Sequence, residues 1–128
     1  MVTVRLLKRG EKIPMPVDTE LIKPESIQFA HEANDLVFVA EENGRTVGVL
    51  IGLRKGTIGE IETFEKRKGV GRKLVEAFER WGKRRGLKQL VAEDPFIEAL
   101  PFYKQLGFVV HERKAVRPIH VRRYRRRR

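Results

Sequence analysis

EKRKGVGRKLVEAFERWGKRRG, residues 65–86, decides the fold because it joins a basic, glycine-containing turn to an amphipathic helix. Val70, Leu74, Phe78 and Trp81 recur at intervals of four, four and three residues, which is the spacing of one helix face. Gly86 is placed to end the helix. The apolar face is therefore expected to pack against a sheet.

The segments around this helix predict an α/β fold in which a mixed, mainly antiparallel sheet is flanked by helices. Residues 37–64 read as an antiparallel meander of three strands, with turns at Asn43–Gly44 and at Gly56. One or two short helices are expected within residues 11–35. The predicted strands are residues 3–7, 37–41, 46–54, 58–64, 87–93, 108–116 and 118–124, and the other predicted helices are 70–86 and 97–107.

Length and composition limit the classes of function. A chain of 128 residues is long enough for one domain with a core and too short for two ordinary domains. It has no cysteine, and its single serine, Ser26, lacks a G-x-S-x-G turn, so cysteine and serine nucleophiles are not expected. His31, His111 and His120 show no metal-ligand spacing, which predicts no metal site. With no run of 18 apolar residues and no signal-like amino terminus, the expected location is cytoplasmic, without a membrane contact.

The net charge of +11 comes mostly from the C-terminal end. Nine of the 28 Lys and Arg residues lie in 113–128, which contain no acid, so the rest of the chain holds 19 basic against 17 acidic residues. Residues 1–124 are predicted to form the domain and residues 125–128 a basic, mobile tail. Arg125, Arg126, Arg127 and Arg128 are either solvated or a contact for a polyanion such as nucleic acid. A homodimer is left open as a further association.

The turn before the central helix has several explanations. Glycines at the start of a helix let backbone N–H groups converge on an anion, which favours a phosphate or a pyrophosphate. A P-loop fails on spacing, because no Gly-Lys-Ser or Gly-Lys-Thr follows. A dinucleotide-binding turn is disfavoured because Leu74 occupies its third glycine position. A coenzyme A pyrophosphate loop and a purely structural turn remain.

Two motifs in this sequence resemble those of the GNAT superfamily of N-acetyltransferases. Its acetyl-CoA loop has Arg or Gln, two residues, Gly, one residue, then Gly or Ala, and Lys66, Gly69 and Gly71 stand at those places. EALPFYKQLGF, residues 98–108, is similar to the family's second acetyl-CoA segment, although Phe96 stands where the family has Asn. The resemblance covers roughly residues 58–110 and implies a GNAT-like single domain that acetylates an amine of an unknown acceptor.

The resemblance also implies where the cofactor, acetyl-CoA, binds. In the family, the strand before the loop pairs with the pantetheine arm through its backbone, and the loop amides hold the pyrophosphate. The implied cofactor-binding residues are Ile61, Glu62, Thr63, Lys66, Arg67, Lys68, Gly69, Val70, Gly71, Arg72, Lys73 and Tyr103. A different class of function is a catalytically weak module of the same fold that binds nucleic acid through the basic tail.

Direct attack of an amine on a thioester needs a base and benefits from an acid. Tyr103 matches the family's tyrosine acid, although it is also explained as a core aromatic. Glu60 and Glu62, two residues apart on one strand, share a face and are the expected bases. Glu93 and Asp94, at the end of the next strand, are alternatives.

Overall fold

The computed structural model describes residues 1–65 and 69–119. The described chain alternates strands with helices in the predicted order. The strands are β1 Thr3–Leu6, β2 Leu36–Glu42, β3 Arg45–Gly52, β4 Ile58–Thr63, β5 Gln89–Glu93, β6 Val109–His111 and β7 Lys114–Pro118. The helices are α1 Pro24–Glu32, α2 Val70–Arg84 and α3 Leu100–Gln105, the last preceded by a 3₁₀ turn at Ile97–Ala99.

The described strands form two antiparallel sheets that touch at one point. The first sheet has the order β1-β2-β3-β4 and the second the order β5-β7-β6. A single parallel bridge, Thr57 with Val91, links β4 to β5. The predicted mixed and mainly antiparallel architecture is confirmed.

Helix α2 covers one face of the first sheet. Its residues Leu74, Val75 and Phe78 are fully buried against Phe38 and Leu50 in the larger core cluster. Two glycines of β3 permit this close approach. A Cβ at Gly52 would lie 2.7 Å from Cζ of Phe78, and one at Gly48 would lie 2.9 Å from Cγ1 of Val70. The central helix therefore packs on the sheet as its apolar spacing predicts.

Helix α1 covers part of the opposite face. Pro24 begins it, at a position where proline is well tolerated because its missing N–H would be unpaired there. Ile27 and Ala30 pack in a second core cluster with Val37, Val49 and Ile51 and with neighbouring apolar side chains. At nine residues α1 is too short to cover the whole face, and the candidate site lies beside it.

The C-terminal hairpin turns earlier than the sequence predicts. Residues 108–116 were expected to be one strand, paired with a second strand over residues 118–124. Instead β6 ends at His111, Glu112 takes a left-handed conformation with φ of 55°, and β7 begins at Lys114. The chain thus reverses at Glu112–Arg113. Of the predicted last strand, residues 118–124, Pro118 ends β7, and residues 120–124 lie outside the described part, as does the predicted tail at 125–128.

The predicted helix at residues 97–107 is also divided. Pro101 has no N–H to donate and stands in the first turn of α3, so the α-helix proper starts at Leu100. The preceding residues form the 3₁₀ turn. The segment still ends as predicted, because Gly107 has φ of 84° and stops the helix.

Candidate active site

The free edge of β4 is the feature around which the candidate site is built. On one side β4 pairs with β3, Ile51 facing Glu60 and Gly48 facing Thr63. On the other side the described strands have one backbone pairing with β5, the Thr57–Val91 bridge, which is supported by a hydrogen bond of 2.9 Å from Val91 N–H to Gly56 O. Beyond it, no described strand pairs with this edge of residues 60–63. Unpaired N–H and C=O groups on a sheet edge can pair with an extended, amide-rich ligand.

A β-bulge in β4 determines on which face of the sheet the side chains of Glu60 and Glu62 lie. Ile58 faces Gly52, but Glu60 faces Ile51, so Gly59 is the extra residue. Simple alternation would place Glu60 on the side of Ile58, whose side chain is buried in the core under α2. The bulge transfers it to the opposite face, the one that α1 partly covers. Glu62 faces Val49 and lies on the same side.

The carboxylate of Glu62 anchors the chain segment before α1. One of its oxygens accepts a hydrogen bond of 2.8 Å from Glu20 N–H, and the other accepts bonds of 2.9 and 2.8 Å from Leu21 N–H and Ile22 N–H. Three backbone donors therefore surround this carboxylate. The arrangement assigns the Glu62 side chain a structural role and makes it a weaker candidate base than Glu60.

The side chain of Glu60 has no hydrogen-bond or ion-pair partner among the described residues. Partial burial, and then the neighbouring charge of Glu62, raise the pKa of its carboxyl above the ordinary value for glutamate. A carboxylate with a raised pKa is a stronger proton acceptor, as a general base requires. Glu60 also lines an open groove of about 370 Å³ between α1 and β4.

The two predicted glycines at the start of α2 have different surroundings. Gly69 has a backbone conformation that favours glycine, and Gly71 packs closely against a neighbouring helix. Gly69 caps the helix with φ of 95°, and a Cβ there would have no atom within 4 Å, so the turn is open on its outer side. Gly71 is buried, and a Cβ there would lie 2.6 Å from Cε1 of Phe102 on α3. Close packing against Phe102 therefore requires a glycine at position 71, in addition to any approach of a ligand to the backbone. Lys66, Arg67 and Lys68 lie outside the described residues.

The other side chains near this turn point in different directions. Val70 is buried in the core, so only its backbone is available to a ligand. Arg72 makes a long contact of 3.5 Å to Gln105 O, and Lys73 donates to Val2 O at 3.2 Å. The N–H groups that begin an α-helix have no intrahelical acceptor, and the first intrahelical bond here joins Lys73 N–H to Gly69 O.

Tyr103 lies on α3 in an aromatic cluster. Its side chain is 5% exposed, and its ring lies 5.2 Å from that of Phe102 and 5.0 Å from that of Phe108 in edge-to-face contacts. Burial raises the pKa of the hydroxyl to about 12. The hydroxyl therefore stays protonated at neutral pH and keeps a proton to donate. Because Phe102 touches Gly71, the cluster also adjoins the start of α2.

The alternative bases at the end of β5 are less suited. Asp94 has φ of 54°, and its carboxylate accepts a bond of 3.0 Å from Arg113 Nε across the hairpin. Glu93 is exposed at the strand end. The Asp94 carboxylate is therefore already engaged by a cation, whereas that of Glu60 is not.

The described ranges offer neither a metal cluster nor a membrane-spanning helix. Within residues 1–65 and 69–119, no three acidic or histidine side chains are grouped so that they could hold a metal ion. The helices of those ranges are all too short or too polar to cross a bilayer. The arginines on which the nucleic-acid alternative depends lie outside them.

The chain belongs to the acetyltransferase (GNAT) family, whose model matches residues 11–108. No curated protein matches it in sequence. The fold is similar to that of the ribosomal-protein-S18-alanine N-acetyltransferase from Escherichia coli, with 18% identity, a TM-score of 0.67, and coverage of 93% of this chain and 94% of that one. It is also similar to the IAA acetyltransferase from Bacillus cereus, with 18% identity, a TM-score of 0.68, and coverage of 92% and 99%. These likenesses confirm the predicted fold.

One further structure bears on the cofactor. A Bacillus anthracis protein solved in complex with acetyl coenzyme A is 17% identical, with a TM-score of 0.54 and coverage of 64% of this chain and 58% of that one. A complex with acetyl coenzyme A is thus known for a protein of this fold. Family membership favours the acetyltransferase prediction over the nucleic-acid alternative, which no described residue supports.

The sequence did not indicate two of the side chains that line the groove beside Glu60. Phe29 lies on α1 and Asp35 in the link to β2. Neither belongs to a recognisable motif, and they meet Glu60 only through the packing of α1 on the sheet. The exposed position of Phe29, 65% accessible on an otherwise amphipathic helix, is visible only in the structure.

Proposed function

We propose that this chain is an acetyl-CoA-dependent N-acetyltransferase that uses Glu60 as the base. One observation carries the proposal: the bulge at Gly59 turns Glu60 into an open groove directly beside the unpaired edge of β4. The edge supplies backbone groups for an amide-rich ligand, and the groove supplies room for an acceptor. Base and binding edge are thus on the same strand.

Acetyl-CoA fits the chemistry of the residues available to it. The β4 edge at Ile61, Glu62 and Thr63 offers alternating N–H and C=O groups to the pantetheine arm. The first turn of α2, open at Gly69, offers unpaired amides and the positive end of the helix dipole to the pyrophosphate. We infer that Lys66, Arg67, Lys68 and Arg72 add positive charge there. When bound, the cofactor supplies an acetyl group activated as a thioester.

Glu60 prepares the acceptor for attack. An amine that enters as its ammonium form transfers a proton to the Glu60 carboxylate, directly or through a water, and the proton passes on to solvent. The nitrogen lone pair is then free to form the bond to the thioester carbonyl carbon while the carbon–sulfur bond breaks. The nitrogen gives up its second proton and the leaving sulfur gains one, so the products are an amide and a thiol.

Tyr103 is the proposed source of the proton for sulfur. Its pKa of about 12 keeps it protonated, and its aromatic neighbours hold the ring on the side of the site where α2 begins. General acid assistance of this kind contributes typically about 10²- to 10⁴-fold. Tyr103→Phe distinguishes this role as an acid from a role in packing alone, because it removes the hydroxyl and keeps the ring.

The direct test combines cofactor binding with turnover. Titration of the protein with acetyl-CoA in a calorimeter is expected to show saturable binding at one site per chain. Release of free thiol should then depend on both the protein and an added amine, measured over a panel of amines. Saturable binding without thiol release from any amine would contradict the proposed activity and leave only cofactor binding.

A further inference from the structure

The groove beside Glu60 has a distinctive lining. Its volume of about 370 Å³ is at the lower end of the range for small-molecule sites, enough for one compact organic group. It is formed by one side of α1, the link from α1 to β2, and the ends of β3 and β4. The lining residues are Ser26, Phe29, Ala30, Ala33, Asp35, Ile51, Leu53, Gly59 and Glu60.

The charges in this lining are both negative. Asp35 and Glu60 are half-buried, and neither carboxylate has a hydrogen bond or ion pair with a described residue. Arg54, a nearby cation, donates to the backbone oxygen of Asn34 at 2.7 Å and to its Oδ1 at 3.3 Å rather than to Asp35. The described residues of the lining include no Lys or Arg. Two half-buried carboxylates with no paired cation among the described residues favour a cation in this open groove and repel an anion.

The remaining lining is apolar. Phe29 on α1 and Ala33, the residue that caps the end of this helix, are four residues apart, and Ser26 lies three residues before Phe29. The Phe29 side chain is 65% exposed and is the largest apolar surface at the groove. A bound apolar group would cover this ring and remove it from water. The groove therefore presents negative charge and the apolar surface of Phe29 to the same ligand.

We propose that the acceptor is a small arylalkyl amine without a carboxylate, whose ammonium group binds between Asp35 and Glu60 and whose ring packs on Phe29. This inference rests on the proposed function, because Glu60 then serves as both a binding partner and the base. Asp35 is a specificity-determining residue that holds the ammonium group. An acceptor with its own carboxylate, such as a free amino acid, is disfavoured by both acids.

The probe pair is 2-phenylethylamine and phenylalanine, which differ by the carboxylate alone. With the wild-type chain, kcat/KM for 2-phenylethylamine is expected to exceed that for phenylalanine by about 100-fold, since an uncompensated charge in a partly buried site is costly. Asp35→Asn should raise KM for 2-phenylethylamine about tenfold with little change in kcat, as expected for loss of a charge-assisted contact. Asp35→Asn should also reduce the ratio of kcat/KM for 2-phenylethylamine to kcat/KM for phenylalanine. Asp18→Asn, at an exposed position that does not line the groove, is the matched control and should leave both values unchanged.

The aromatic contact is tested separately. Phe29→Ala should reduce the preference for 2-phenylethylamine over ethylamine by about tenfold or more, because hydrophobic discrimination of this size follows from losing a packed ring. Phe29 is exposed, so the variant should fold normally. Equal preference in the wild type and in Phe29→Ala would overturn the role of this ring.

The outcomes separate this inference from the proposed function. Calorimetric titration of the protein saturated with coenzyme A is expected to show binding of 2-phenylethylamine, weakened by Asp35→Asn. Failure of 2-phenylethylamine to bind would overturn the inference whether or not other amines react. Faster turnover of phenylalanine, or of a peptide amide with a free amino terminus, would also overturn it while leaving the acetyltransferase activity established. Absence of thiol release with every amine would contradict the proposed function itself.

Discussion

The two faces of the first sheet differ in what they bury. The face under α2 is closed, with Phe78 against Phe38 and Trp81 at ring distances of 5.7 and 6.2 Å and with glycines in β3 that bring helix and sheet together. The face under α1 is only partly covered and carries Glu60, Glu62 and an open groove. The closed face supplies stability, and the open face keeps unpaired charge where a ligand can reach it. The bulge at Gly59 assigns Glu60 to the second role.

The largest effect is expected on the closed face. Phe78→Ala removes a fully buried ring, and the free energy of unfolding should fall by about 3–5 kcal/mol, as for other large-to-small changes in a packed core. Chemical denaturation followed by tryptophan fluorescence would measure this loss. Phe29→Ala on the open face is the matched comparison and should change stability by less than about 0.5 kcal/mol, as exposed substitutions usually do. Similar losses for both variants would contradict the division between the faces.

Tyr103 tests whether a residue of the closed core also takes part in the chemistry. Tyr103→Phe keeps the ring and its contacts with Phe102 and Phe108, so folding and acetyl-CoA affinity should be preserved. Turnover should fall by about 10²- to 10⁴-fold if the hydroxyl is the acid. Unchanged turnover, measured where chemistry is rate-limiting, would assign Tyr103 to packing alone.

The two glutamates of β4 should respond oppositely in stability. Glu62→Gln disturbs a carboxylate that accepts three backbone N–H bonds, so it should destabilise the protein by about 1.5–3 kcal/mol, the range for hydrogen bonds to a charged group. Glu60→Gln should slightly stabilise it at neutral pH. Because the pKa of Glu60 is raised in the folded state, its ionised form is disfavoured there, and this cost grows as the pH rises from the ordinary pKa of glutamate to the raised one and is complete above it.

The pH dependence of the pair provides the control. Below the ordinary pKa of glutamate, Glu60 is protonated in both folded and unfolded chains, so the advantage of Glu60→Gln should vanish there. Thermal melts of the wild type and both variants across this range would show it. A Glu62→Gln variant as stable as the wild type would mean that the three contacts do not anchor the segment before α1.

The smallest loss is expected for acetyl-CoA affinity in Gly71→Val, at the point where the closed face meets the cofactor loop. Gly71→Val should weaken acetyl-CoA binding at least tenfold, about 1.4 kcal/mol, by obstructing approach to the backbone. The same side chain would collide with Phe102, so the variant is compared with the double variant Gly71→Val/Phe102→Ala, which restores room. Calorimetry should show weak binding in both. Recovery of affinity in the double variant would mean that packing, and not cofactor approach, requires Gly71.

The closed face was largely predictable from the sequence, and the open face was not. The long helix is predicted by a local helical spacing of four apolar residues, all of them buried: Val70, Leu74, Phe78 and Trp81. The contacts of Glu62 with Glu20, Leu21 and Ile22 span about 40 residues and leave no local pattern. The groove depends in the same way on how α1 lies across the sheet.

Local sequence signals gave a wrong prediction for the hairpin after α3 and were too weak to predict the bulge in β4. The hairpin after α3 was misplaced because Glu112 takes a left-handed conformation without the Gly or Asn that normally marks such a turn. The bulge in β4 had only the hint of Gly59 inside a strand, which does not say which way the next side chain turns. Such features follow from pairing with the neighbouring strand.

The most direct test of the central claim is the pH profile of kcat/KM for wild type and Glu60→Gln, with the same amine acceptor in both. We expect Glu60→Gln to lose about 10²- to 10⁴-fold at neutral pH, the usual contribution of a general base. The ratio of wild type to variant should shrink as the pH falls through the raised pKa of Glu60, because the protonated carboxyl no longer accepts a proton. The acceptor's own titration cancels in this ratio. A ratio near one at every pH would contradict the assignment of Glu60 as the base.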